Sequence, residues 1–233
     1  MKGVIFMKSR LIGALWILGA IGFFYFAFNG EYFSSFFFFC LILCLAEILA
    51  ISELRPYQME PLACRPLGAW QIEICILVLA IFFCLAFTKE QILLVIAICS
   101  ACDVGAFTCG KLFGKHKARF SESISPNKTI EGYIGGIVAS ALGIPVCMIL
   151  GFEFTPSMIV FLCLCGLVAE LGDLLGSATK RQLAIKDSGD GIRNFPGLNL
   201  LEYPLKGHGG YLDRLDSISM VAVLYALVAA PQF

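Results

Sequence analysis

The sequence predicts an all-α fold: a polytopic integral membrane protein with about seven transmembrane helices and a polar cavity at the cytoplasmic face. Of its 233 residues, 59% are hydrophobic and only 15% are charged, and the mean hydropathy is +0.86. A soluble domain would carry about 25% charged residues. The apolar runs are close to the roughly 20 helical residues that cross a hydrocarbon core of about 30 Å. We expect helices because a helix satisfies its own backbone hydrogen bonds in lipid.

Seven apolar runs define the expected spans in chain order. They cover approximately residues 11–28, 33–51, 70–87, 91–109, 133–151, 157–175 and 218–230. The first run is expected to be a retained helix, because it is long for a signal peptide and no small-residue cleavage pattern follows it. The last run is the shortest. We expect one membrane domain over 1–233, with scaffold helices in 1–100, a motif-bearing catalytic region in 101–217 and a C-terminal helix in 218–233.

The basic residues are distributed asymmetrically between the loops that join these spans. With the N-terminus in the cytoplasm, all but one of the seventeen Lys and Arg residues fall on the cytoplasmic side, and Lys89 alone falls on the other. This pattern agrees with the positive-inside tendency and predicts that both motif-rich loops face the cytoplasm. The zero net charge therefore hides a basic face suited to anionic lipid or a nucleotide. A nucleic-acid partner is not expected.

Three acidic residues lie inside predicted spans. An ionised carboxylate near the centre of a membrane helix costs at least about 2.5 kcal/mol, so it needs a partner or a purpose. Asp103, Glu170 and Asp173 all lie toward the cytoplasmic ends of their helices in the predicted topology, where they are expected to converge. Glu47 either joins them or pairs with a basic residue.

Two polar segments interrupt the apolar chain. The segment from Gly110 to Gly132 combines glycines, lysines and hydroxyls, a set that suits phosphate oxygens, although it is not a Walker motif. The segment from Ser177 to Asp216 gathers carboxylates, basic residues and glycines, as a site that holds metal ions against phosphates requires. Cys99-x-x-Cys102 has no second pair nearby, so the cysteines are expected to pack as apolar residues and the metal to be bound by oxygen.

Together these segments resemble the phosphatidate cytidylyltransferases, also called CDP-diacylglycerol synthases. The resemblance spans Asp103 to Asp216, about half of the chain, and follows the family order. Its elements are Asp103-x-x-Ala106-Phe107-x-x-Gly110, Gly114-Lys115-His116-Lys117, Ser125-Pro126-x-Lys128-Thr129-x-Glu131-Gly132, Gly172-Asp173, Ser177-x-x-Lys180-Arg181, Lys186-Asp187-Ser188-Gly189, Gly207-His208-Gly209-Gly210 and Asp213-Arg214-Leu215-Asp216.

The resemblance implies an enzyme that transfers a cytidylyl group from CTP to phosphatidate within membrane lipid, with Mg²⁺ as cofactor. A second, monovalent cation such as K⁺ stays an open alternative. The implied catalytic residues are Lys128, Ser177, Lys180, Arg181, Lys186, Asp187, His208, Asp213 and Arg214. The implied nucleotide-binding residues are Lys115, Ser125, Lys128, Thr129, Gly209 and Gly210, and the implied metal ligands are Asp173, Asp187, Asp213 and Asp216. For His208, phosphate binding and ordering of the glycine turn are both open.

The chain departs from the family in three respects. The segment 190–206 is longer than expected, and Gly176 stands where an acidic residue usually precedes the serine. The chain is also short, so a homodimer is one way to complete its lipid-facing groove. A bacterial inner membrane is the expected location, with the active site facing the cytoplasm. Three other readings stay open: a CTP-dependent enzyme for another lipid phosphate or a polyprenol, a non-enzymatic transporter, and an inactive relative.

Overall fold

The computed structural model describes residues 33–54, 68–153, 155–183, 185 and 211–228. The α-helices in these ranges are α1 (Phe33–Leu54), α2 (Ala69–Cys84), α3 (Lys89–Phe113), α4 (Ile130–Ser140), α5 (Gly143–Ile149), α6 (Pro156–Gln182) and α7 (Leu212–Val228). A short 3₁₀ helix, Arg119–Ser121, lies between α3 and α4. No β-strand occurs in the described part of the chain, so the all-helical prediction is confirmed there.

In the described part of the chain, three helical stretches are long and apolar enough to cross a membrane. They are Lys89–Phe113, Ile130–Ile149 and Pro156–Gln182, and shorter apolar helices cover Ser34–Leu49, Ala69–Cys84 and Leu215–Val228. These match six of the seven predicted runs. The first run, 11–28, lies outside the described residues, so the total of seven spans and the division into three regions remain predictions.

The fifth predicted span is divided into two helices, α4 and α5. Pro145 lies in the first turn of α5 and has no N–H to donate to the carbonyl of Ala141, four residues earlier. That carbonyl instead accepts from the N–H of Ile144 at 3.0 Å, in a tighter turn. The proline therefore explains the break, which hydropathy alone does not reveal.

Side chains and ring geometry fix where several helices begin. The Thr88 hydroxyl accepts from the N–H of Gln91 at 3.3 Å, and the Gln91 side-chain oxygen accepts from the N–H of Thr88 at 2.9 Å. This reciprocal capping box starts α3. Thr129 caps α4 by accepting from the N–H of Gly132 at 3.1 Å, and Pro156 opens α6 at a position where no N–H is needed.

Several of the described motif residues lie on helix ends, which corrects the expectation that they lie in loops. Gly110 and Lys111 belong to the last turn of α3, which ends at Phe113. Lys180 and Arg181 lie in the last turn of α6, which continues seven residues past the predicted end of its span. Asp213 lies in the first turn of α7. Helix backbones therefore hold these charges, more rigidly than loops would.

The described helices bury a main apolar core and expose other apolar side chains outward. α6 packs against α2, α3, α4 and α7, and Leu77, Ile98 and Leu162 are fully buried between the helices. Outward-facing Phe82 and Val160 are 69% and 71% exposed. Exposed side chains of this kind, spread over long apolar helices, suit contact with lipid tails rather than water.

Candidate functional site

Backbone hydrogen bonds join the two ends of the segment between α3 and α4. The N–H of Ala118 donates to the carbonyl of Lys128 at 3.1 Å, and the N–H of Ile130 donates to the carbonyl of His116 at 2.9 Å. The ring nitrogen Nδ1 of His116 also lies 2.6 Å from Oε1 of Glu131, in the first turn of α4. These contacts hold Lys128 directly before α4, beside the neighbouring helix α6.

Lys128 binds two carboxylates of α6. Its Nζ lies 2.6 Å from Oε2 of Glu170 and 2.7 Å from Oδ2 of Asp173. It also lies 4.7 Å from the centre of the Tyr133 ring, within cation–π range. Burial alone would lower the pKa of Lys128, but the charges of Asp173 and Glu170 outweigh it and raise that pKa above its usual value. Lys128 is therefore a permanent cation at neutral pH.

Glu170 is held on its other side by α3 and α4. Its side chain is 5% exposed, and Sγ of Cys102 lies 3.9 Å from Oε1. A Cβ at Gly136 would lie 2.6 Å from the same oxygen, so only glycine leaves room for this carboxylate. Gly136 thus allows close contact between α4 and α6, and Cys102 does more than pack as an apolar residue.

A second group of charges joins the end of α6 to the start of α7. Lys180 Nζ donates a short hydrogen bond to Oδ1 of Asp213, and both side chains are largely buried. Lys180 also interacts electrostatically with Asp216 and Asp173. Since Asp173 binds Lys128, the two groups form one continuous polar centre. Of the carboxylates expected to converge, Glu170 and Asp173 meet at Lys128.

Asp216 is packed against the backbone of α6. It is 4% exposed, and Oδ1 accepts from the N–H of Ser217 at 2.7 Å. A Cβ at Gly176 would lie 2.5 Å from Oδ2 of Asp216, and a Cβ at Gly172 would lie 2.8 Å from its backbone oxygen. Both glycines are therefore required for this close approach. Gly176, which the sequence marks as a departure from the family pattern, makes room for a carboxylate from another helix.

Other predicted residues border this centre or lie apart from it. Arg181 Nε donates to the carbonyl of Ile124 at 3.3 Å and so ties α6 to the α3–α4 segment. Ser125 and Ser177 are half-buried, and Lys115 is exposed. The Thr129 hydroxyl oxygen is used to cap α4. Asp103 is exposed and interacts electrostatically with Asp216.

Several predicted residues lie outside the described part of the chain, and their roles stay predictions. They are Lys186, Asp187, His208, Gly209 and Gly210, together with the side chain of Arg214.

The carboxylate oxygens of the polar centre are ligands suited to a hard divalent cation. Asp173, Asp213 and Asp216 offer oxygen ligands, which Mg²⁺ prefers. Within the described ranges, no three Asp, Glu, His or Cys side chains are grouped closely enough to hold a metal ion by themselves. Such a group is not required, because Mg²⁺ is usually bound by one or two carboxylates together with substrate phosphates and water.

Sequence reasoning missed Glu73 and left the role of Glu47 open. Oε2 of Glu47, on α1, accepts from the N–H of Leu212 at 2.8 Å, so it caps the helix that carries Asp213. Glu73, on α2, is fully buried and interacts electrostatically with Lys180. The signal for both was available, since each is an acidic residue within an apolar run.

Comparison with known proteins identifies the group to which this chain is similar. A model of the cytidylyltransferase family matches residues 67–230. Three relatives named phosphatidate cytidylyltransferase, from Staphylococcus saprophyticus, Staphylococcus haemolyticus and Staphylococcus aureus, are 38%, 40% and 41% identical over 125 residues. Each alignment covers 52% of this chain and 42% of the relative, so the chain matches less than half of their length. No solved structure matches the chain.

Proposed function

Because the chain belongs to the cytidylyltransferase family, we propose that it transfers a CMP unit from CTP to phosphatidate and releases CDP-diacylglycerol and pyrophosphate. The observation that carries this proposal is the buried centre in which Lys128 and Lys180 bind carboxylates of α6 and α7. Paired cations and carboxylates at one end of a helical bundle suit a reaction between two polyanions.

In the proposed reaction, a phosphate oxygen of phosphatidate attacks the α-phosphorus of CTP. The bond from that phosphorus to the bridging oxygen breaks, and pyrophosphate leaves with the electron pair. No protein nucleophile is needed, so the chain contributes binding, orientation and charge. Asp173, Asp187, Asp213 and Asp216 would hold Mg²⁺, which supplies charge neutralisation at the phosphates when bound.

The cationic side chains act on the substrate phosphates. Lys128 and Lys180 are held at the polar centre by carboxylates, so they are already oriented before substrate arrives. Arg181 lies at the edge of the centre, against the segment that contains Ser125. We assign these three cations to the triphosphate and the phosphatidate headgroup. The half-buried hydroxyl of Ser177 would add a hydrogen bond.

The proposal includes the membrane setting. Phosphatidate is confined to the membrane plane and CTP arrives from water, so the centre must lie at a membrane face. The distribution of Lys and Arg favours the cytoplasmic face, and we propose a bacterial inner membrane with seven spans. K⁺ at a second cation position and a homodimer that completes the lipid groove are parts of this proposal that separate measurements would test.

The test is pyrophosphate release by the full chain, purified in detergent and supplied with CTP, phosphatidate and Mg²⁺. The variants are Asp213→Asn, Asp187→Asn and Lys128→Met. Glu153→Gln is the matched control, because Glu153 is an exposed carboxylate between α5 and α6. We expect release that depends on both substrates, is lost in the three variants and is retained in the control.

Other outcomes would redirect the proposal. Release that needs CTP but responds to a polyprenol or another lipid phosphate would change the acceptor and keep the reaction type. A well-folded protein that releases no pyrophosphate with any of these acceptors would contradict the enzymatic proposal.

A further inference from the structure

The first turn of α2 is fixed against the end of α6. The N–H of Trp70 donates to the side-chain oxygen of Gln182 at 3.4 Å, and the Trp70 ring packs against buried Leu183 and Ile185. The contacts place the start of α2 beside the last turn of α6, where Lys180 lies. Glu73 follows Trp70 by three residues and so lies on the same side of the helix.

Glu73 is a buried carboxylate with no local hydrogen-bond partner. Its exposed fraction is 0%, and among the described residues neither Oε1 nor Oε2 has a hydrogen-bond partner. Its charged neighbours are Asp216 and Lys180. An unpartnered buried carboxylate is costly, whether charged or neutral. Its place beside the polar centre therefore points to a partner that it acquires in another state of the protein.

Lys180 is the cation available to become that partner. In the structure Lys180 is bound to Asp213, and the proposed function assigns Asp213 to a metal ion. An ammonium and a divalent cation compete for one carboxylate, and a cation bound there would repel Lys180. Lys180 then needs a second acceptor within reach of the same helix end.

We propose that Glu73 is a positioning residue for Lys180, accepting its ammonium when Asp213 binds a divalent cation. This proposal rests on the proposed function for the assignment of Asp213. The exchange leaves these three groups paired: Lys180 passes from Asp213 to Glu73, and the cation takes its place on Asp213. Glu73 thereby removes a competitor from the metal ligand and holds Lys180 near the substrate phosphates.

The experiment measures Mn²⁺ binding by electron paramagnetic resonance, with the full chain in detergent and no nucleotide. The proteins are the wild type, Glu73→Gln, Lys180→Met and the double variant. Glu73→Gln keeps the size of the side chain and removes its charge. We expect it to weaken Mn²⁺ binding on the order of 10- to 100-fold, as changes to groups that support metal ligands do. In the Lys180→Met background the same substitution should have little effect, because the competing ammonium is gone.

The double-variant comparison separates this role from a merely structural one. A packing defect caused by Glu73→Gln would weaken Mn²⁺ binding equally with or without Lys180, and that result would overturn the proposal. Equal binding by wild type and Glu73→Gln would overturn it as well, as would a wild-type protein that binds no Mn²⁺. The coupling would support it even if the same protein released no pyrophosphate from CTP and phosphatidate, in which case the proposed function alone would fail.

Discussion

Replacing Gly176 by alanine tests whether the position of Asp216 matters to the site. The added Cβ would lie 2.5 Å from Oδ2 and 2.8 Å from Cβ of Asp216, whereas ordinary contacts begin at 3.4 Å. The Asp216 carboxylate must therefore move by about 0.9 Å, from 2.5 Å to the 3.4 Å of an ordinary contact. A misplacement of about 1 Å in a catalytic arrangement costs about 100-fold in rate. We expect a loss of that order in pyrophosphate release.

The expected effect of Gly176→Ala on folding is much smaller. Alanine favours a helix by about 1 kcal/mol over glycine, and overpacking costs about 1–3 kcal/mol, so the net loss of stability is about 0–2 kcal/mol. Gly143→Ala is the matched control, because its added methyl meets only side-chain carbons of Ile98 and Leu162, the nearest at 3.1 Å. The reasoning is refuted if Gly176→Ala keeps wild-type kcat/KM while Asp216→Asn is inactive.

Three further predictions concern the other buried charges. Lys128→Met should lower the free energy of unfolding by about 3–5 kcal/mol, because Glu170 loses its cation; chemical denaturation in detergent measures this, and adding Glu170→Gln should restore part of the loss. The loss of stability in Lys128→Met should be the same at pH 7 and pH 9. Because the pKa of Lys128 is raised in the folded protein, its contribution to stability is complete below its usual pKa and disappears only as the pH rises through the raised pKa. A smaller loss of stability at pH 9 would contradict this. Glu47→Ala should speed hydrogen exchange at the Leu212 amide by roughly fivefold, equivalent to about 1 kcal/mol for a lost cap, whereas Glu47→Gln should not. Exchange in Glu47→Ala at the wild-type rate would show that the cap contributes nothing.

Hydropathy and charge were sufficient to predict where the described helices lie, since both depend on composition over many residues. Helix ends were harder to predict. The sixth apolar run stops near Leu175, but α6 continues to Gln182. Its last turns are polar because they lie beside the charged centre, and a hydropathy window counts such residues as a loop. The break before Pro145 was missed because the run stays apolar on both sides of it.

Residues of the candidate site could be predicted from the sequence where they belong to a motif. The partners that they meet from distant helices could not. Lys128 and Asp173, which form an ion pair, each belong to a motif in the sequence. Glu47 and Glu73 stand alone among apolar residues, so the sequence shows that they need partners but not which ones. The sequence shows Gly176 only as the absence of an acidic residue, whereas in the structure its missing side chain leaves room for Asp216.

The contacts of the polar centre also constrain how α4 and α5 run. Lys128, directly before α4, binds Asp173 in the second half of α6, and Arg181 in the last turn of α6 binds the carbonyl of Ile124. The start of α4 and the end of α6 therefore lie on the same face of the bundle. The chain must therefore cross the bundle once between them before α6 brings it back. α4 alone has 11 residues and α5 has seven, lengths of about 17 Å and 11 Å at 1.5 Å per residue. Neither spans a core of about 30 Å alone, but in succession they approach it. Together, α4 and α5 therefore carry the chain across the bundle once, despite the break before Pro145. One continuous helix is not needed for α6 to begin on the opposite face.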